Sequence, residues 1–268
     1  MARAESLSVT RCSLVVRAID AWTGRPVTGS GIQVFLDGIG SKPVRTSDGS
    51  FAFLDVGRPS CELVVSSSTY LEERVAVDWA ALPAASPVVV VSLLPGRLYP
   101  VPPAGSGVEL TVRDSSGKPL AGVSVAALVD DEAAVRGRLA DDRAVAGATS
   151  LRYVPGAVRL QEGDVVALRE REGTPAEWCR IRSADAAECV LELSAPLTRS
   201  WKRGTRLLPA ASTRSDADGT VVVPFRGRLP QSCEAEAQMV LNGRLVGARW
   251  PAGGGKVTKL PPVVWSED

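Results

Sequence analysis

The chain carries the same module twice, and the second copy is split by an insertion. The first copy reads SLVVRAIDAWTGRPVTGSGIQVFLDG from Ser13 to Gly38 and continues with PVRTSDGSFAFLDVGRPSCELVV from Pro43 to Val65. The second reads VELTVRDSSGKPLAGVSVAALVDD from Val108 to Asp131, and continues only at STRSDADGTVVVPFRGRLPQSCEAEA, from Ser212 to Ala237. The tails agree as well, because Cys61 and Trp79 are spaced almost as Cys233 and Trp250 are. Two copies of one pattern must bury equivalent positions in equivalent ways, so the repeat restricts the architecture before any single residue is interpreted.

The periodicity within each copy is that of strands. Leu14, Val16 and Ala18 alternate with Val15, Arg17 and Ile19, and Ile32, Val34 and Leu36 alternate with Gln33, Phe35 and Asp37. A period of two, broken at short intervals by Gly, Pro and Asp, predicts an antiparallel sandwich. The turns repeat too. TGRPVTG (Thr23 to Gly29) and SGKPLAG (Ser116 to Gly122) share a turn glycine, a basic residue and a proline. Asp48-Gly49 and Asp218-Gly219 sit between apolar runs and predict hairpins.

These residues resemble the transthyretin-like, or carboxypeptidase regulatory-like, β-sandwich family. Its run appears here as VRAIDAWTGRPVTGSGIQV…RTSDGSFAF and again as VRDSSGKPLAGVSVAAL…RSDADGTVVV, covering most of residues 13–95 and, with the gap, 107–265. The resemblance implies an all-β chain of two tandem Ig-like, transthyretin-like antiparallel sandwiches. It implies no particular activity, because such modules serve many roles. The expected division is a first sandwich over 1–96, a Pro-rich linker over 97–106, and a discontinuous second sandwich over 107–130 and 211–268.

Residues 131–210 form the insertion. Its first piece, Asp130 to Ala148, predicts a short helix capped by Asp130 or Asp131 and weakened by Gly137, or else an extended charged loop. Its second piece, about 151–209, carries four short strand patterns: Gly163–Glu170, Glu177–Ala184, Glu188–Pro196 and Gly204–Ala210. So many strands in so short a segment predict a small closed β-barrel, because closure removes exposed edges. The wording from Val158 to Leu207 resembles, over a short stretch, segments of phage-tail and contractile injection system proteins. The barrel is expected to stand off the side of the rod that the two tandem sandwiches and the Pro-rich linker make, and to present a docking face.

Composition removes several classes of chemistry. The chain of 268 residues has no histidine, the commonest general base and metal ligand. With 31 basic and 30 acidic residues it shows no electrostatic footprint for nucleic acid. No phosphate-binding loop or nucleophile motif occurs. Asp216 and Asp218 supply too few carboxylates for a calcium loop. Asp130, Asp131, Glu132, Asp141 and Asp142 read as a solvated charged segment. No catalytic residue, cofactor or metal is therefore expected. The N-terminus lacks an apolar signal region, and the most apolar run, Trp79 to Gly96, is broken by Pro83, Pro87 and Pro95. Cytoplasmic synthesis without membrane insertion is the expectation. The five cysteines are odd in number and widely spaced, which favours reduced, buried thiols. A hairpin register placing Cys179 opposite Cys189 would bring those two to one inward face, as small buried hydrophobes or, less favoured, as a disulfide.

Six tryptophans remain: Trp22, Trp79, Trp178, Trp201, Trp250 and Trp265. Trp79 and Trp250 are repeat-equivalent and belong in or beside the cores. Trp22 has no counterpart in the second copy, and Trp201 stands in the basic stretch TRSWKRGTR. Exposed tryptophan beside arginine and lysine is a frequent hot-spot composition. Trp201, Lys202, Arg203 and Trp22 are accordingly the candidate partner-docking residues, set against local packing of the two rings. The expected function is a non-enzymatic structural or adaptor protein that docks other subunits of a multi-protein assembly, such as a phage-tail-like or contractile injection particle, with self-association open. The alternative is an extracellular adhesin or carbohydrate-binding module.

Overall fold

The computed structural model describes residues 10–29, 31–83 and 85–266. It divides into two units: Met1–Asp20 with Arg25–Leu93, and Ala21–Gly24 with Leu94–Asp268. Residues 97–106, expected as a linker, thus belong to the second unit.

The first unit contains β1 (Cys12–Asp20), β2 (Ile32–Leu36), β3 (Val44–Arg45), β4 (Phe51–Leu54), β5 (Glu62–Ser67), β6 (Glu73–Ala76) and β7 (Val88–Leu93). One sheet runs β3-β4-β1-β7 and the other β2-β5-β6. Leu14, Val16, Val34, Leu36, Phe53, Leu63, Val65 and Leu93 form its core. The alternation seen in β1 and β2 is the alternation of burial, with Ile32, Val34 and Leu36 inside and Gln33 and Phe35 exposed. The sandwich is not purely antiparallel, because β7 runs parallel to β1. The chain crosses from β6 in the other sheet and re-enters in the direction of β1, which no local pattern encodes.

The second unit repeats this plan. Its strands are β8 (Ser106–Asp114), β9 (Ser124–Val129), β10 (Gly137–Leu139), β11 (Arg143–Ala144), β12 (Ser150–Pro155), β13 (Val165–Arg169), β14 (Glu177–Asp185), β15 (Val190–Leu193), β16 (Trp201–Lys202), β17 (Arg206–Arg214), β18 (Thr220–Phe225), β19 (Cys233–Leu241), β20 (Arg244–Ala252), β21 (Val257–Lys259) and β22 (Val263–Trp265). One sheet runs β18-β8-β21, with β22 also on β8, and both final strands lie parallel to β8. β9, β19 and β20 answer to β2, β5 and β6. The shared turn closes with equivalent hydrogen bonds in both copies, around a loop one residue longer in the first. The Asp20 amide donates to the Arg25 carbonyl and Val27 to Ala18, just as Asp114 donates to Lys118 and Leu120 to Val112. Gly24 and Gly117 sit at φ of 68° and 85°, which a side chain disfavours. Cys61 and Cys233 pack at the margins of the two cores, as do Trp79 and, more deeply, Trp250.

The insertion departs from its expected outline at its start. Asp131 does cap a turn, accepting from the Ala133 amide, but the turn is a single 3-10 one over Glu132–Ala134. The chain then enters β10. Gly137, which weakened the helix pattern, is needed there, because a Cβ would come 2.7 Å from the Val154 carbonyl and 2.8 Å from the Tyr153 ring. The barrel closes in the order β10-β12-β15-β14-β13-β17, with β17 returning to β10. Leu139, Leu151, Val166, Leu168, Ile181, Leu191, Leu193 and Leu207 fill it.

The barrel is continuous with the second sandwich. β17 pairs with β13 through Arg206–Ala210 and with β9 through Ala210–Arg214, so one nine-stranded sheet runs from barrel to sandwich. This also changes the second Asp-Gly turn. Asp48-Gly49 joins β3 to β4 within one sheet, whereas Asp218-Gly219 carries the chain from β17 to β18 in the opposite sheet.

Candidate docking surface on the second unit

The junction between barrel and sandwich is held by charge. Arg169 of β13 donates to Asp130 at 2.9 Å and to Glu236 of β19 at 2.8 Å, while Arg206 of β17 reaches Asp130 at 2.5 Å. The Asp130 and Arg169 side chains are only 4% and 6% exposed, so the carboxylate expected in a solvated segment is instead the centre of a buried network. Burial works to lower Arg169, yet its hydrogen bonds to Glu236 and Asp130 hold it above its ordinary value. On the other side of the junction Arg226 clamps Asp164, and Arg136 donates to the Arg226 and Arg228 carbonyls at 2.8 and 2.9 Å. Burial pushes the Asp164 carboxyl up and outweighs the pull of Arg226. A cavity of about 30 Å³ beside this pair is large enough for water.

On the outside of the same sheet, Leu128, Ala167, Leu208 and Ala210 form a small second core, with Trp178 of β14 packed against it. Strand register places Trp178 opposite Ala167, whose small side chain leaves room for the indole. Trp178 lines two open grooves. One, of about 410 Å³, is bordered by Arg169, Glu236, Gln238, Leu245, Gly247 and Arg249. The other, of about 620 Å³, is bordered by Glu177, Arg180, Ser194, Pro196, Thr198 and Arg199. The indole Nε1 of Trp178 is enclosed yet meets no acceptor among the described residues. A buried donor of this kind is ordinarily satisfied. Leu245 is 58% exposed at the rim of the first groove, and a Cβ on Gly247 would touch nothing within 4 Å.

Trp201 and Trp22 lie elsewhere, and their burial favours local packing of both rings over exposed docking. Trp201 is 2% exposed inside the barrel, donates to Glu177 Oε2 at 2.7 Å and carries the Arg199 guanidinium 4.0 Å above its ring. Trp22 is 3% exposed, stacked on Tyr99 at 5.5 Å and close against Gly105 and Gly107. Both rings pack locally because each finds apolar neighbours, and an acceptor satisfies the Trp201 indole. Lys202 and Arg203 are exposed, with Arg203 paired to Asp142 at 3.5 Å. Trp201 does bear on the grooves indirectly, since it fixes Glu177 and Arg199. Trp178 was not singled out, although Glu-Trp-Cys-Arg at the head of an alternating strand places it on the face opposite Cys179.

The two barrel cysteines do not face each other. β14 pairs with β15 through Ser183↔Glu192, Ala184↔Leu191 and Asp185↔Val190. The strand runs on to Asp185, whose carboxylate caps the turn by accepting from the Ala187 and Glu188 amides. Cys189 thereby falls in the turn at φ 53°, while Cys179 stays inward. Both thiols are free.

The chain matches no protein-family model and no curated protein. Among solved structures it is similar to the shaft pilin SpaA from Lactobacillus rhamnosus GG, at 11% identity over 97% of this chain and 98% of that one, with a TM-score of 0.28. It is also similar to a Streptococcal ancillary pilin, at 9% identity over 96% and 63%, with a TM-score of 0.24. Values this low carry no argument about function, so the role of the chain rests on its own surface.

Proposed function

We propose that the chain is a non-enzymatic structural subunit that docks other proteins of a multi-protein assembly through the Trp178 surface of its second unit. The observation that carries this reading is Trp178 itself, a ring between two grooves whose indole donor lacks an acceptor among the described residues, flanked by Arg180, Arg199 and Arg249. Aromatic and arginine side chains in such a setting supply most of the energy at protein interfaces. The buried ion network beneath makes the platform rigid, which lowers the ordering cost of docking. The resemblance of the insert to phage-tail and contractile injection proteins favours a particle of that kind, with Lys202 and Arg203 as a further basic contact.

The test fills the groove from an open position. Gly247→Phe should release the protein from its native assembly in a sedimentation gradient while leaving the melting temperature unchanged, and Trp178→Ala should release it too, with a lowered melting temperature because the ring packs against the Leu128 cluster. Retention of both variants in the large fraction would refute the reading. Sheath, tube and baseplate proteins co-sedimenting with the wild type would identify the particle. A second reading, carbohydrate binding by an adhesin, draws on the polar Gln238 and Glu236 beside the ring. A stable monomer that binds glycans and loses them with Trp178→Ala would replace the first reading.

A further inference from the structure

The two repeats differ at one sheet edge. Aligning Gly24 with Gly117 sets Ile32, Val34 and Leu36 of β2 on Val125, Ala127 and Val129 of β9, and Phe35 on Leu128. The strand registers agree, since Val34 lies opposite Val65 and Ala127 opposite Ala237. In the second unit β9 is an interior strand, because β17 covers its other side antiparallel, Ala211 against Ala127 and Thr213 against Val125. In the first unit the strand at that place in chain order is β3. It has two residues and pairs with β4 instead. Among the described residues β2 therefore pairs with β5 alone.

The hydrogen-bond pattern shows which groups face the bare edge. The Asp37 amide donates to the Glu62 carbonyl, so Asp37, Phe35 and Gln33 bond to β5. The amides and carbonyls of Ile32 and Val34 face outward. Their counterparts are the groups that meet β17 in the second unit, where the Ser215 amide continues the same ladder to the Val123 carbonyl. The edge also lacks protection. Ile32–Leu36 contains no charge, proline or bulge, and Phe35 is 39% exposed beside it. The opposite edge of the sheet, β6, carries Glu73 and Arg74, the usual guard against strand addition.

We propose that β2 pairs antiparallel with β2 of a second copy of this chain, joining two first units across a two-fold axis at Val34. In that register Val34 meets Val34, Ile32 meets Leu36, and Phe35 of each copy lies beside Gln33 of the other. Asp37 falls opposite Gly31, so no like charges confront each other. Such an interface is self-complementary, as a two-fold contact must be. The uncharged β7 (Val88–Leu93) is also an outer strand, but its counterparts β21 and β22 are outer strands as well, so the molecule itself offers no precedent for covering it. This inference is independent of the Trp178 surface.

The experiment is sedimentation of the purified full chain over a range of concentrations, joined to amide exchange. The wild type should pass from monomer to dimer as concentration rises, with exchange of the Val34 amide slowing while that of Phe35 stays constant. Gln33→Lys with Phe35→Lys places lysines opposite one another and should abolish the dimer. Mixing that variant with Gln33→Glu, Phe35→Glu should restore it as a heterodimer. A wild type that stays monomeric, with Val34 exchange independent of concentration, would overturn the proposal. So would a dimer that survives the double lysine change, or one lost instead with Val90→Lys. Loss of the native assembly with Gly247→Phe while this dimer persists separates the failure of one reading from that of the other.

Discussion

Trp201 shows how much a single acceptor changes the meaning of a residue. A tryptophan between arginine and lysine reads as an exposed anchor, yet Glu177 accepts a hydrogen bond from its indole and the ring fills the barrel. Trp201→Ala should therefore lower stability by about 3–5 kcal/mol, the range for emptying a large aromatic site, as measured by chemical denaturation. A change below about 1 kcal/mol would contradict the packing. Cys179 makes the same point through its proton. Burial is the larger cause, with Glu177 adding to it, and together they push the thiol from 9.0 up to about 12. The folded state thus favours the neutral thiol. The stability this contributes is complete below pH 9 and is lost as pH rises through about 12. In the native protein Cys179 should resist alkylation at pH 8.5 while exposed Cys12 reacts, as mass spectrometry of the digest would show. Cys179→Ala should flatten the alkaline limb of the stability curve.

At the scale of elements, β17 belongs to two structures at once. Arg206 to Ala210 close the barrel, and Ala210 to Arg214 extend the sandwich sheet, with Ala211 entering the sandwich core. The Asp130 network pins this junction. Removing one partner of a buried ion pair leaves uncompensated charge, so Asp130→Ala should cost about 3–5 kcal/mol. Replacing Asp130, Arg169, Arg206 and Glu236 together by apolar residues should cost much less, which a denaturation series would measure. The repeat boundaries, the turns at Gly24 and Gly117, and the alternation of β1 and β2 were readable from sequence because local chemistry decides them. Barrel closure was readable from strand density, though β10 and β12 were not, since Gly137–Leu139 is too short for any periodicity to register. The Asp130 network was hidden because its partners are far apart in the chain. The β14–β15 register went astray for a local reason, an aspartate cap at Asp185 that carries the strand beyond the expected turn.

At the scale of the molecule, the second unit joins sandwich and barrel through one sheet and two ionic clamps, so it should unfold as one cooperative body. The first unit has a core of its own. Calorimetry should resolve two transitions, not three, with the Asp130→Ala change moving only one of them. A separate barrel transition would show that β17 does not couple the two parts.

Sequential emergence of the chain from the ribosome gives the shared strand a further consequence. The first unit is complete once Leu93 has emerged and can acquire its native form at once. β8 and β9 emerge next, but the strands that pair with them, β17, β18, β19, β21 and β22, come only at the end of the insertion or after it. Nor can the barrel close early, because its last stave is β17. Nascent β8 and β9 must therefore wait, unpaired and strongly apolar, through most of the remaining translation. Pairings made so late in the chain are slow to form and vulnerable meanwhile to capture by neighbouring strands. The second unit should therefore depend on a trigger factor or holdase during synthesis, whereas the first unit should not.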